Sequence, residues 1–220
     1  MDFKTNENKI IIILPISTLV NENSSCVETR VKRKEQYING ITKLLEINDF
    51  LIEHYIDIIL IDNTTDKLDW LDLNLINVTN FKFVGYSGNK YGAINKGSGL
   101  IESWYYLKDL LIKYKYIIHF EPRQLLTSHE TITYMVMNPM NIFKILNEGT
   151  NQQHIYTGLF CIKVVDLLSF IHKYSAEYLS YNRISIEYAL NDFMKNTPIK
   201  SIEKLNLMRF DYGTNKIELY

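Results

Sequence analysis

Alanine, ordinarily among the commonest residues, occurs only at positions 93, 176 and 189 of this 220-residue chain. Ile, Asn, Lys and Tyr are in excess instead. All four have A/T-rich codons, so the skew reads as the mark of an A/T-rich microbial or viral genome rather than of a function. No single Asn, Lys or Tyr then carries weight by type alone. Only two cysteines are present, Cys26 and Cys161, with no CxxC. A zinc site built on cysteine is excluded, and two unpaired thiols in a reducing compartment are the expectation, with one long-range bridge as the alternative. No apolar run approaches the ~18 residues of a membrane span. The stretch Ile10–Val20 has the length of a signal-peptide core, but Pro15, Ser17 and Thr18 interrupt it and Asp2 and Glu7 precede it. It reads as a buried strand, and the protein as cytoplasmic, in the host cell if the source is viral. A surplus of one charge is also lacking: 24 basic side chains face 25 acidic ones, for a net charge of −1. Such a chain exerts no long-range pull on nucleic acid or anionic lipid, and no nucleic-acid partner is expected.

Repeats, low-complexity tracts and Pro/Gly/Ser-rich linkers are absent as well, so 1–220 reads as one domain. A chain of this length buries roughly 70% of its unfolded surface without a metal or disulfide staple. Lys9–Leu14 is a β-branched apolar run stopped by Pro15, the pattern of a strand buried on both faces. Val27, Val31, Ile38, Ile41 and Leu45 recur at helical spacing with charged residues between them. Tyr55–Ile61 and Phe81–Val84 read as further strands, and Ala93, Gly97, Leu100, Trp104, Leu107 and Leu111 as a helical stripe leading to a strand at Tyr116–Phe120. The order βαββαβ predicts a mostly parallel three-layer α/β sheet. Beyond it, Thr127–Leu146 reads as helix and loop, Ile155–Val164 as a mixed strand, Val164–Tyr174 and Ile184–Met194 as amphipathic helices, and Leu205–Tyr220 as short strand pieces.

Ligands of such sheets sit beyond the carboxyl ends of the strands. The polar residues delivered there are Pro15, Ser17 and Thr18 after the first strand, Asp62 and Asn63 after the second, the loop Gly85–Gly92 after the third, and Glu121 and Arg123 after the fourth. The most specific segment is Gly88-Asn-Lys-Tyr-Gly-Ala-Ile-Asn95-Lys96-Gly97. Its glycines let backbone approach a ligand, and a helix N-terminus behind them favours anions. They serve equally to permit a tight turn and close helix–sheet packing. The segment is neither GxxxxGK[ST] nor GxGxxG, which counts against an ATPase or a dinucleotide oxidoreductase. Ser17 and Ser128 lack a nucleophile elbow, and His54, His129, His154 and His172 show no metal-ligand spacing. Arg30, Lys32, Arg33 and Lys34 read as a solvated helix face from which one arginine can reach a phosphate.

This succession, Pro15, Asp62-Asn63, Gly88–Gly97 and Tyr116-Ile-Ile-His-Phe-Glu121, resembles a GT-A-fold glycosyltransferase, in particular family 2 and the short enzymes of bacterial polysaccharide clusters and large DNA viruses. The resemblance covers 9–125 closely and 150–195 more loosely. It implies a GT-A-like αβα sandwich with a nucleotide-sugar-binding half over 1–125 and an acceptor-binding half over 126–220. It also implies that Pro15, Ser17, Thr18, Asp62, Asn63, Asn89, Asn95, Lys96, Glu121 and Arg123 surround the donor. The family's metal-binding Asp-x-Asp is replaced by His119-Phe-Glu121-Pro-Arg123, leaving one carboxylate where two would hold a hard cation. Glu121 is then the metal ligand for Mn²⁺ or Mg²⁺, with His119 as helper or as a core histidine facing away; alternatively Arg123 neutralises the diphosphate without metal. The family's Arg-Asn pair is matched only approximately by Asn95-Lys96. The stretch Ser185-Ile-Glu187-Tyr-Ala-Leu-Asn-Asp192 matches the helix that carries the catalytic base of inverting members. Glu187 is the expected base, Asp192 the reserve, and Thr157-Gly158 an acceptor-side turn. The expectation is an inverting transferase moving a hexosyl or N-acetylhexosaminyl group from a UDP-linked donor to a glycan hydroxyl, with a homodimer left open. A non-catalytic nucleotide-sugar or glycan-binding protein and a nucleotidyltransferase are the alternatives.

Overall fold

The computed structural model describes residues 9–19, 27–72, 78–148, 152–211 and 216–220, with backbone alone for 27–31, 148, 210, 211 and 216. The first half runs β1 (Ile10–Ile16), α1 (Val27–Leu45), α2 (Asn48–Glu53), β2 (Asp57–Asp62), β3 (Phe81–Gly85), α3 (Lys96–Tyr106), α4 (Lys108–Leu111) and β4 (Tyr116–Phe120). The second runs β5 (Leu125–Leu126), α5 (Glu130–Met137), β6 (Ile142–Phe143), β7 (Ile145–Glu148), β8 (Gln152–Ile155), β9 (Leu159–Lys163), α6 (Val164–Lys173), α7 (Ala176–Asn182), α8 (Ile186–Met194), β10 (Lys200–Ser201), β11 (Leu207–Asp211) and β12 (Lys216–Leu219).

A seven-stranded sheet of order β10-β6-β9-β4-β1-β2-β3 forms the middle layer. β1 to β4 are parallel, whereas β9 runs antiparallel to both of its neighbours. The mostly parallel sheet expected from βαββαβ is therefore observed. β11 joins β12 and β5 in a small antiparallel sheet, and β7 pairs with β8. The alternation of strand side chains builds two cores. Ile10, Ile12, Leu14, Ile58, Leu60 and Ile118 pack toward α1, α2 and α5. Ile11, Ile13, Ile59, Ile61 and Ile117 pack toward α3, α4 and α6 to α8. Aliphatic strands with no polar face cannot leave either side wet, which is why helices cover both. The chain steps from β1 to its two opposite neighbours, β2 and β4, so a crevice opens at their carboxyl ends.

Several expectations shift in detail. The second strand starts at Asp57 because Tyr55 takes a left-handed φ of 57° and is exposed. The long helix starts at Lys96, not Ala93, because the Asn95 side chain caps it by accepting from Gly97 N at 3.0 Å; Ala93 is exposed in the preceding turn. The expected strand Ile155–Val164 is two strands of different sheets, separated at Tyr156-Thr157-Gly158. Helices α2 and α7, both short, carry no long periodic signal and went unforeseen. Cys161 is buried and unbridged, while Cys26 lies, with residues 20–25, outside the described residues. Among the described residues no helix is long and apolar enough to cross a membrane.

Candidate active site

A cavity of about 670 Å³ opens where the carboxyl ends of β1, β2 and β4 meet the glycine loop, the start of α8 and the β11–β12 hairpin. It brings together Pro15, Ser17, Asn63, Asn89, Lys96, Glu121, Arg123 and Glu187, which lie far apart in sequence. Three residues expected around the donor do not line it. Thr18 and Asp62 are buried behind the rim, and Asn95 is turned into the fold.

The reason is hydrogen bonding. Asp62 is fully buried and accepts from Thr18 N at 3.3 Å, from the Thr18 hydroxyl, and from Thr64 N and Oγ1 at 2.8 and 2.6 Å. A buried carboxylate is tolerated when its lone pairs are taken up in this way. Asn63, 3% exposed, joins three segments: its Oδ1 accepts from Ser17 Oγ at 2.7 Å, and its Nδ2 donates to Asn89 Oδ1 and to Gly99 O, each at 3.2 Å. Asn89 adopts a left-handed φ of 63°. A Cβ on Gly92 would stand 1.8 Å from Asn89 Oδ1, so that glycine is required by packing inside the loop. Asn95, besides capping α3, donates to Ile184 O at 2.9 Å and Leu179 O at 3.3 Å, tying α3 to the α7–α8 turn. Lys96, next in sequence, is exposed and lines the cavity.

The floor is an ion pair. Arg123 donates to Glu121 Oε1 through Nε at 2.8 Å and also through Nη2, while Gln124 Nε2 donates to Glu121 Oε2 at 3.2 Å. Gln124 Oε1 in turn accepts from the Tyr156 hydroxyl at 2.6 Å. Burial pushes the Glu121 carboxyl up, but the Arg123 guanidinium, with smaller help from His119 and Gln124, outweighs it and holds the group at about 2. His119 itself lies off the cavity. Its ring stacks on Phe160 at 4.7 Å and meets Trp104 edge-on at 5.4 Å, and neither ring nitrogen has a hydrogen-bond partner. Burial lowers its pKa to about 4, with Glu121 opposing, so the imidazole is neutral.

The first turn of α8 brings Glu187 to the cavity. The carboxylate is half-buried and accepts from Thr157 Oγ1 at 3.1 Å and from the Ser185 hydroxyl. These bonds aim it and leave lone pairs toward the cavity. Asp192, five residues on, accepts from Tyr174 and Lys195 on the outer surface, away from the cavity.

A divalent cation does not fit the donor set. Both Glu121 oxygens are already engaged by Arg123 and Gln124, and among the described residues no three His, Cys, Asp or Glu side chains gather as ligands. Glu121, expected as a metal ligand, is in this structure the anchor of Arg123.

Sequence reasoning missed several lining residues. Tyr37 comes from α1, one turn on from Arg33, itself on the face from which one arginine was expected to reach a phosphate, so the spacing from Arg33 through Tyr37 to Ile41 carried the signal. A Cβ on Gly40 would sit 2.0 Å from Pro122 O, so its absence lets this helix press against the loop bearing Arg123. Tyr156, Tyr188, Arg209 and Tyr220 left no signal, since tyrosine is abundant throughout and their convergence depends on the tail hairpin.

No protein-family profile matches the sequence, and no curated protein matches it either. Solved structures do. Core-mannan synthase A from Aspergillus fumigatus, in its Mn/GDP form, superposes with a TM-score of 0.56 at 8% identity, over 94% of this chain and 76% of that one. The galactosyltransferase LgtC, in complex with donor and acceptor sugar analogs, gives 0.51 at 9% identity over 88% and 73%. The 4-diphosphocytidyl-2C-methyl-D-erythritol synthase from Anaerococcus prevotii gives 0.52 at 13% identity over 89% and 88%. At such identities the likeness concerns the fold, and the chain has the GT-A fold.

Proposed function

We propose that this protein is a nucleotide-sugar-dependent glycosyltransferase. The observation that carries the reading is one cavity, at the β1/β4 switch point of a GT-A fold, lined by the Glu187 carboxylate together with Arg123 and Lys96. The fold by itself also hosts nucleotidyltransferases, so the assignment rests on the site. Residues 1–125 take the donor, UDP-linked, and 126–220 the glycan acceptor. Pro15, Ser17, Asn63 and Asn89 border the nucleoside, Lys96 and Arg123 the diphosphate, and Thr18, Asp62 and Asn95 hold the loops that present them.

Transfer proceeds with inversion. The acceptor hydroxyl oxygen forms a bond to the anomeric carbon while the bond from that carbon to the diphosphate oxygen breaks, its electron pair leaving with the diphosphate. The Glu187 carboxylate takes the hydroxyl proton. Thr157 and Ser185 orient it from behind, and Arg123 stabilises the departing charge. No step passes through a metal.

A thermal-shift screen of UDP, GDP, CMP and their sugars tests the reading. A cognate donor at a hundred times its Kd stabilises by about 2.7 kcal/mol. Donor consumption with a glycan acceptor then separates a transferase from a binding protein. If no nucleotide raises the melting temperature, the proposal is wrong.

A further inference from the structure

A leaving diphosphate needs positive charge close by, and this cavity supplies it from side chains. Arg33, Lys96, Arg123 and Arg209 line it. Two of these are built in. Arg33 reaches in from α1 and donates through Nη1 to Ser17 O at 3.4 Å. Arg123 reaches in from the loop after β4, its orientation fixed by two bonds to a single Glu121 oxygen. The Tyr37 hydroxyl, on a residue 2% exposed, lines the same cavity and accepts from Ser17 N at 3.0 Å. Burial pushes this phenol up, and the charges of Arg123 and Arg33, which line the same cavity, oppose the rise. A guanidinium carries five donors, and the bonds to Glu121 and Ser17 use only part of each set. Glu121, which a cation would need, is consumed in aiming Arg123.

We infer that the donor's diphosphate is gripped by the guanidinium groups of Arg33 and Arg123, with Glu121 as the positioning residue of Arg123, and that binding requires no divalent cation. The inference rests on the nucleotide-sugar reading. Planar forked donors match phosphate oxygens and carry permanent charge, so they neutralise the diphosphate as it departs without any proton moving. The pair also explains why one carboxylate suffices here: its partner is an arginine and not a cation.

Calorimetric titration of the full chain provides the test, with UDP as probe and uridine and inorganic pyrophosphate as its two parts, first in EDTA and then with excess Mn²⁺. Equal UDP affinity in the two buffers, within about twofold, is expected. Arg33→Gln should weaken UDP and pyrophosphate by at least about tenfold, some 1.4 kcal/mol, and leave uridine unchanged. Because Arg123→Gln alone strands the half-buried Glu121 carboxylate, the double variant E121Q/R123Q, checked by its melting curve, should give the same pattern. Rising salt should weaken UDP more than uridine. Tenfold tighter UDP binding in Mn²⁺, loss of binding in EDTA, or unaltered affinity in both variants would overturn the inference while leaving the nucleotide reading intact. Pyrophosphate bound without any preference for UDP would sink the nucleotide reading and spare the anion grip. Silence from all three probes would remove both.

Discussion

The two walls of the cavity are built on opposite plans. On the β1–β2 side the polar groups satisfy one another: Asp62 is saturated by Thr18 and Thr64, and Asn63 by Ser17, Asn89 and Gly99. On the α8 side Glu187 is held by two hydroxyls and still faces the open space. The first wall has spent its hydrogen-bonding capacity on shape, and the second keeps some in reserve. A polar residue beside a cavity is thus a candidate for chemistry only after its internal partners have been counted.

Removing the reserve should have the largest effect. Glu187→Gln is expected to lower kcat by about 10²–10⁴-fold, in the range of a lost general base, with UDP affinity and melting temperature nearly unchanged. Asp192→Asn is the matched control on the same helix and should leave transfer at the parental rate; equal losses in the two variants would dissolve the contrast between the walls. Striking the saturated wall should do the reverse. Asp62→Ala strands the donors of Thr18 and Thr64 and is expected to cost about 3 kcal/mol, a fall in Tm of roughly 6–12 °C. A well-folded Asp62→Ala that has lost UDP would show that Asp62 meets the ligand after all.

A smaller effect comes from beneath the walls, where His119 is buried with no hydrogen-bond partner. The folded imidazole binds a proton only below about 4, against 6.5 ordinarily. Between those values the unfolded chain takes up the proton and the native state does not, so stability is full above 6.5 and falls as the pH drops toward 4. The loss is up to about 3 kcal/mol at the acid end of that window. Denaturant melts of His119→Phe should lack this component. Parallel curves for the two proteins across pH 7 to 4.5 would mean that the histidine does not titrate in the native state as a buried, unpaired group.

Much of the fold was legible because its signal is local and dense. Aliphatic runs such as Ile10–Leu14 and Tyr116–Phe120 leave no solvated face, and turn residues end them, so strands, order and the sheet's carboxyl edge follow from pattern alone. The helix over Val27–Leu45 follows equally from its spacing. The site was legible in part: Glu187, Arg123, Lys96 and Asn63 do meet in one cavity. Which polar groups would be consumed internally was not, since that depends on contacts such as Asp62 with Thr18, set by three-dimensional closure. Tyr37 was hidden by a helix face that reads as solvated until the loop at Pro122 is seen resting on Gly40. The tail residues Arg209 and Tyr220 lay beyond reach, because their place is fixed by a hairpin whose pairing with β5 is non-local.

The reversed strand β9 has a consequence for how the start of α8 is held. It is joined to the parallel strands through one ladder, from Tyr116 opposite Lys163 to Phe120 opposite Leu159. The polypeptide reaches the cavity rim at Thr157 just before entering that ladder and returns to it at Ser185, so 164–184 form an excursion anchored at both ends. None of 164–184 lines the cavity. Leu167, Phe170 and Leu179 are buried in the core on the α3 side of the sheet, and Leu179 O and Ile184 O are held by Asn95. The excursion thus braces the start of α8 from behind.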